Sequence, residues 1–316
     1  MTNARRLLAA VTTLALLEWG PGAGPPPRAG GQQQPSFRTG IDVVSLNVTV
    51  TDADGRYVVD LGQSELDVFE DGILQQISYF NRGNPGIAFS LLIDTSASME
   101  EELATAQEAA VGFARRTRPE DLAEVIDFDT RVTVIQPFTN QVPALERAIR
   151  GTTVGGSTAL YNAVYIALKE LQRIRPADVS DVRRQAIVLL SDGDDTSSLV
   201  GFDEVLDLAK RSETAVYGIG LRSANEPAGK GFREADFVLR ELSQQTGGRV
   251  FFSSKAEELS GVYGKIAEEL SSQYLVGYVS KNARRDGAWR RVVVQARRPG
   301  LTARAKIGYF APVEKR

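Results

Sequence analysis

The sequence predicts a doubly wound α/β fold, a mostly parallel six-stranded sheet flanked by helices, inserted into a small β-sandwich built from N- and C-terminal strands. Three observations carry this reading. Between residues 85 and 271 short apolar runs alternate with helical segments, the rhythm of strands buried on both faces and of the helices covering them. On either side, apolar and polar residues alternate one by one, the mark of half-buried strands. Each flanking β segment is also too small to close a stable sandwich, so each needs the strands of the other.

Taken in order, residues 1–36 read as an export signal and linker. Arg5 and Arg6 precede an apolar run from Leu7 to Leu17, and Gly/Pro- and Gln-rich sequence follows. The run is too short to span a bilayer but suits a signal-peptide core. Glu18, Trp19 and the prolines after them leave no clean cleavage pattern, so an uncleaved interfacial anchor stays open beside a cleaved signal. Residues 37–84 are the N-terminal part of the sandwich. Val44, Leu46, Val48 and Val50 alternate up to the Asp52-Ala53-Asp54-Gly55 turn. Leu66 and Val68 then lead through Glu70-Asp71-Gly72 into Ile73, Ile77, Tyr79 and Phe80.

Residues 85–271 form the α/β domain. Strands are expected near 87–93, 123–127, 186–191, 215–219 and 249–252. A sixth at 132–135 follows its predecessor after a short turn and should run antiparallel at the edge. Helices are expected near 100–117, 141–150, 159–174, 202–211, 233–246 and 256–271. Residues 272–316 return to β character at Tyr274 to Tyr278, Arg290 to Gln295 and Ala305 to Phe310, completing the sandwich and placing the two ends of the insertion side by side. Trp289 and the nearby tyrosines read as sandwich core.

With 316 residues, 42% apolar and 24% charged, the chain has ordinary globular composition and room for more than one core. A net charge of −3 gives no global field to recruit nucleic acid. The absence of Cys and His excludes thiol nucleophiles, imidazole bases, disulfides and zinc sites of the usual kind. Any metal must be held by oxygen. No Walker loop or dinucleotide glycine motif is present, and Gly218-Ile219-Gly220 reads as a strand end. A haloacid-dehalogenase-type phosphotransferase would want a second Asp where Ser96 stands. Metal-activated water keeps hydrolysis as a third reading.

Three oxygen-rich turns follow strands or open helices: Asp94-Thr95-Ser96-Ala97-Ser98, Gly155-Gly156-Ser157-Thr158 and Ser191-Asp192-Gly193-Asp194-Asp195. Each has a local explanation. Ser98 and Glu101 fit a capping box, Ser157 or Thr158 fits a helix N-cap, and Asp192-Gly193 is a common turn dipeptide. Together and in this order they resemble the metal-ion-dependent adhesion site of von Willebrand factor type A (VWA) domains. Asp67 to Gly72, Asp94 to Met99, Gly156 to Tyr161, Gln273 to Tyr278 and Gly308 to Phe310 are further similar to the bacterial exported VWA-related family. The resemblance implies that Asp94, Ser96, Ser98, Thr158 and Asp192 hold Mg²⁺, or Mn²⁺ or Ca²⁺, and that a partner's Asp or Glu completes the coordination. Ala97 departs from the glycine such domains often carry. Asp194 and Asp195 lie beside the site, as tuning groups or as solvated surface.

Residues 281–316 hold 11 Lys or Arg against 2 Asp or Glu. Solvated strand faces and edge protection account for them, with contact to a polyanion or the cell envelope as the alternative. The function expected is an exported, non-catalytic binding or adhesion module, periplasmic or at the cell surface, capturing a protein ligand through the cation. The runner-up is an envelope assembly protein with a structural metal.

Overall fold

Val44, Leu46, Val48 and Val50 alternate along β1 (Val43–Thr51) and all four are buried, so one face of this strand builds core. Asp52 ends it: Oδ1 accepts the N–H of Asp54 at 2.9 Å and of Arg56 at 2.8 Å, a tight turn that Gly55 completes at φ +78°. β2 (Leu66–Glu70) and β3 (Ile73–Gln75) form a hairpin whose two-residue loop, Asp71-Gly72, has positive φ at both positions, 48° and 81°. That turn matches the natural twist of paired strands. β4 (Ile77–Asn81) ends the first β segment. The computed structural model describes residues 43–82, 85–174, 183–192, 194–221, 234–253 and 255–314. The leader and linker expected at 1–36 lie outside the described residues. Among those described, no helix is long and apolar enough to cross a membrane.

The central sheet follows. Its strands are β5 (Ile87–Asp94), β6 (Leu122–Phe128), β7 (Val132–Thr139), β8 (Arg184–Ser191), β9 (Thr214–Leu221) and β10 (Val250–Ser253), in the order β10-β9-β8-β5-β6-β7. Only the β6–β7 pair is antiparallel. All eight residues of β5 and of β9 are buried, as strands covered on both faces must be. Gly218 and Gly220 lie within β9 and give that cover close access: a Cβ on Gly220 would come within 2.6 Å of the Phe252 ring. Helices α1 (Leu103–Ala114), α2 (Val142–Arg150), α3 (Leu160–Arg173), α4 (Phe202–Arg211), α5 (Glu234–Thr246) and α6 (Leu259–Ser271) supply the layers. α1, α2 and α6 pack on one face, α3, α4 and α5 on the other.

One polar group is set deep in this sheet. Glu124 of β6 is 1% exposed; Ser90 donates to its Oε1, and Oε2 has no partner among the described residues. Burial, with added repulsion from Glu170, pushes its pKa up to about 8 against the Ser90 hydrogen bond. A carboxyl that keeps its proton in the fold and loses it when unfolded makes stability fall as pH rises between 4.5 and about 8. Glu124→Gln is therefore expected to flatten that fall and to exceed the parent by about 4–5 kcal/mol at pH 9, with little difference at pH 4. Urea unfolding at the two pH values measures it.

The second β segment comprises β11 (Tyr274–Val279), β12 (Trp289–Ala296), β13 (Thr302–Arg304) and β14 (Gly308–Phe310). One sandwich sheet has the order β13-β1-β11-β4, the other β14-β12-β2-β3. Strands from before and after the α/β insertion thus alternate in the first sheet and meet at the β12–β2 pair in the second, and β4, which enters the insertion, pairs with β11, which leaves it. Thirteen fully or nearly buried side chains from both segments form the core between the sheets, which is why neither segment suffices alone. Two expectations need correction. The closing run expected from Ala305 to Phe310 is strand only over Gly308–Phe310, because residues 305–307 cross from β13 in one sheet to β14 in the other. Arg304 enforces the crossover by donating to the carbonyls of Gly247 and Gly248 and to Glu269 of α6. Trp289 is not sandwich core; it packs edge-on against Phe310, with Lys210 of α4 over its ring.

Candidate metal centre

β5 and β8 are neighbours, and the chain leaves them toward opposite sides of the sheet. Such a switch point opens a crevice at the carboxyl ends of the strands, and the three oxygen-rich turns meet there. Asp94, the last residue of β5, is wholly buried; Oδ1 accepts the Ser96 N–H at 2.9 Å and Oδ2 accepts the Ser191 hydroxyl at 2.5 Å. The Ser96 and Ser98 hydroxyls are 3.1 Å apart, and Ser98 donates to Asp192 Oδ1 at 2.9 Å. Asp94, Ser96, Ser98 and Asp192 therefore share one hydrogen-bonded patch.

Thr158 reaches it by way of its backbone. The Gly155 N–H donates to the Thr95 carbonyl at 2.8 Å and the Ala97 N–H to the Gly156 carbonyl at 3.1 Å, stitching the second turn to the first. The Thr158 N–H donates to Thr196 Oγ1 at 2.9 Å, and the Thr196 N–H returns to the Thr158 carbonyl at 2.8 Å, tying the second turn to the third. Thr158 is 5% exposed, and among the described residues its hydroxyl makes no hydrogen bond. Gly156 makes this stitching possible: its φ is +71°, and a Cβ there would lie 2.4 Å from Thr130 Oγ1 and 2.9 Å from Asp129 Oδ2. Gly156→Ala is expected to weaken divalent-cation binding about tenfold and to destabilise the fold by about 1–2 kcal/mol, read by calorimetric titration and thermal melts.

The local explanations of the hydroxyls fail on inspection. A 3₁₀ turn occupies Ala97–Met99 and α1 starts only at Leu103, with Glu102 as N-cap, so Ser98 caps nothing. α3 starts at Leu160, with Ala159 at its N-cap. Its first amides are satisfied from the third loop, where Asp195 Oδ1 accepts the Tyr161 N–H at 3.1 Å and Ser198 Oγ accepts that of Asn162 at 2.9 Å. Asp194 does the same for α5, accepting the Ala235 N–H at 2.6 Å. Asp194 and Asp195 are thus helix-capping groups, and the neighbouring hydroxyls are released from that work. Ala97 carries no positive φ, so its methyl costs the loop nothing.

Three supporting residues escaped the sequence reading. Ser191 was legible only as part of a turn. Thr95 donates to Asp127 of β6 and to the Phe128 carbonyl, and Asp129 accepts the Ala159 N–H on its carbonyl. Only strand register brings these together; Ile93 stands opposite Asp127 in the sheet, and no local motif marks it.

The site is electrostatically negative. Burial pushes the Asp94 pKa up to about 6, and the charge of Asp192 adds to this against hydrogen bonds from Ser191 and Ser96. Burial likewise raises Asp127, with repulsion from Asp129. Among the described residues neither Asp94 nor Asp127 has a Lys or Arg in ion-pair range. Nor do three or more Asp or Glu converge as metal ligands. The donor set is instead two carboxylates and three hydroxyls, all hard oxygens. That chemistry fits Mg²⁺, Mn²⁺ or Ca²⁺, whose charge the two carboxylates formally balance while the hydroxyls add none.

Residues 89–194, from the first strand of the central sheet to the third oxygen-rich turn, match the family model of the von Willebrand factor type A domain. This stretch belongs to a von Willebrand factor type A domain. Among solved structures similar to it, a von Willebrand factor type A protein from Catenulispora acidiphila superposes with a TM-score of 0.50 at 11% identity, over 88% of this chain and 76% of that one. The aligned share extends beyond the VWA domain into the flanking strands. An aerotolerance-related membrane protein from Bacteroides fragilis aligns at 16% identity and TM-score 0.46, over 58% of this chain and 98% of that one. Proximal thread matrix protein 1 from the mussel byssus, with zinc in its adhesion-site motif, aligns at 15% identity and TM-score 0.48, over 61% and 47%. No curated protein matches the chain.

Proposed function

We propose that this VWA protein is an exported, non-catalytic binding module of the bacterial envelope or cell surface, and that it captures a protein partner through a divalent cation at the rim of the central sheet. Asp94, Ser96, Ser98, Thr158 and Asp192 would hold the ion directly or through water. When bound, it supplies an electrophilic position for an acidic oxygen of the partner. The observation that carries the reading is the hydrogen-bonded chain from Ser96 through Ser98 to Asp192 beside the buried, cation-free Asp94. Neutral hydroxyls in place of further carboxylates favour an outside carboxylate over a closed site. A structural-metal reading would leave recognition to the basic C-terminal strands. It is weakened because Arg290, Arg297, Arg298 and Arg304 pair internally with Glu70, Asp67, Asp60 or Glu65, and Glu269.

The test is capture of an immobilised library of Asp- and Glu-containing peptides, with Mg²⁺ and with chelator, by the parent and by Asp192→Ala. Loss of capture on chelation and in the variant, with the fold intact, supports the proposal. Capture that ignores the chelator overturns it.

A further inference from the structure

Lys306 is set apart from the paired arginines of the C-terminal strands by its place in the fold. Lys306 stands on the crossover between β13 and β14. Among the described residues it makes no hydrogen bond or ion pair, and removal from water lowers its pKa although Glu213 faces it. Its backbone is fixed. Gly247, at φ +81° after α5, lies so close that a Cβ would come within 2.4 Å of the Lys306 backbone nitrogen, and Arg304, two residues earlier, donates to the Gly247 and Gly248 carbonyls. A half-buried ammonium with a single acid, Glu213, facing it is stabilised by any further anionic group that pairs with it.

Lys306 lies where two cavities meet, of about 380 and 520 Å³, which also share Arg211 and Glu213. Together they form a groove between the sandwich and the α/β domain. Arg183 lines the first lobe, Arg284 and Arg285 the second, and Glu213 is the single acid among the lining residues of either. Arg211 is held over the Phe310 ring at 3.9 Å and pairs with Asp207 of α4 at 2.7 Å. The first lobe also contains Asn47, whose Oδ1 is buried with no hydrogen-bond partner among the described residues. A buried acceptor left unsatisfied in a cavity calls for a ligand donor.

Three constraints follow for an occupant. Its charge is negative. Its size exceeds an inorganic ion, since each lobe is in the range of small-molecule sites. It carries hydroxyl donors as well as anionic oxygens. A bilayer fits poorly, because these cations line a concave groove that headgroups on a flat surface do not enter. We propose that the groove binds an acidic oligosaccharide, sugar units bearing carboxylates, with Lys306 as its central contact. The groove borders Arg184 at the start of β8, whereas the metal centre follows Ser191 at its end, about 23 Å away at about 3.3 Å per strand residue. The two sites face opposite ends of the sheet, so saccharide and protein partner can be held together.

The experiment is calorimetric titration of the full chain with tetragalacturonate, and with maltotetraose as the neutral control. Binding of the former alone is expected, weakened at least tenfold by Lys306→Gln, largely restored by Lys306→Arg, and unchanged by chelator or by Asp192→Ala. Arg147→Gln, at an exposed arginine of α2 outside the groove, is expected to bind as the parent does. No binding by the parent, equal loss in Arg147→Gln, or full affinity in a folded Lys306→Gln overturns the proposal. So does equal or tighter Lys306-dependent binding of inorganic phosphate or of phosphatidylglycerol vesicles, which would assign the groove to phosphate instead.

Discussion

An Asp94→Asn variant is expected to lose divalent-cation affinity by at least about a hundredfold, while its cation-free form is more stable than the cation-free parent at pH 7. Both effects have one cause. Asp94 is wholly buried, and burial pushes its pKa up to about 6, with the nearby Asp192 charge adding to it. In the fold it therefore holds a proton that the unfolded chain releases nearer 3.8. The cation-free parent loses stability as pH rises from 3.8 to about 6 and does not regain it above, a deficit of about 2 kcal/mol that the neutral amide removes. Added Mg²⁺ reverses the order, because an ion that binds only the folded parent stabilises it by mass action. Protons compete for the same oxygens, so the parent's cation affinity is expected to fall about tenfold per pH unit below about 6. Titration calorimetry at pH 5, 6 and 7, with urea unfolding in chelator and in Mg²⁺, reads each part. An Asn variant that binds the ion as tightly as the parent removes Asp94 from the centre and the reading with it.

Arg290→Ala is expected to cost about 4 kcal/mol of stability. Arg290 and Glu70 are each 2% exposed and lie 3.3 Å apart. Burial is the largest influence on Glu70 and pushes its pKa up. Hydrogen bonds from Ser280, Tyr309 and Tyr278, and from Arg290, outweigh it and hold the carboxyl below its usual range. One carboxylate of the β2 strand thus ties β11, β12 and β14 together, joining the two sequence-distant halves of the sandwich. Truncating the arginine strands a buried charge, removes one of the two donors to the Asn282 carbonyl and takes the donor from the Arg284 carbonyl. Arg297→Ala, which breaks a pair whose arginine is 57% exposed, is expected to cost far less, since solvent screens the pair. Urea unfolding of the two variants against the parent provides the comparison. Equal costs would show that the Glu70 cluster does not hold the sandwich together.

Much of this architecture could be read along the chain because its signals are local. Period-two alternation in β1, unbroken apolar runs in β5 and β9, and the Asp71-Gly72 turn each act within a few residues. The crossover at 305–307 could not be read, because Ala305 to Phe310 has the composition of one strand and is divided by an arginine clamp onto Gly247, far away in sequence. Trp289 was misplaced for a similar reason: its neighbours Lys210 and Phe310 come from α4 and β14.

The metal centre divides along the same line. Residue types in order, through their resemblance to the adhesion site of von Willebrand factor type A domains, singled out Asp94, Ser96, Ser98, Thr158 and Asp192 as candidates. Composition alone ruled out thiol and imidazole chemistry. Whether a hydroxyl caps a helix or faces a shared crevice is another matter. Ser98 was released by a helix that starts late, and Thr158 by Asp195 and Ser198 arriving from the third loop to satisfy the amides it might have capped. Hydrogen-bond partners compete over a few ångströms of space, not over positions in a sequence, so that competition was resolved only once the loops had been folded against one another.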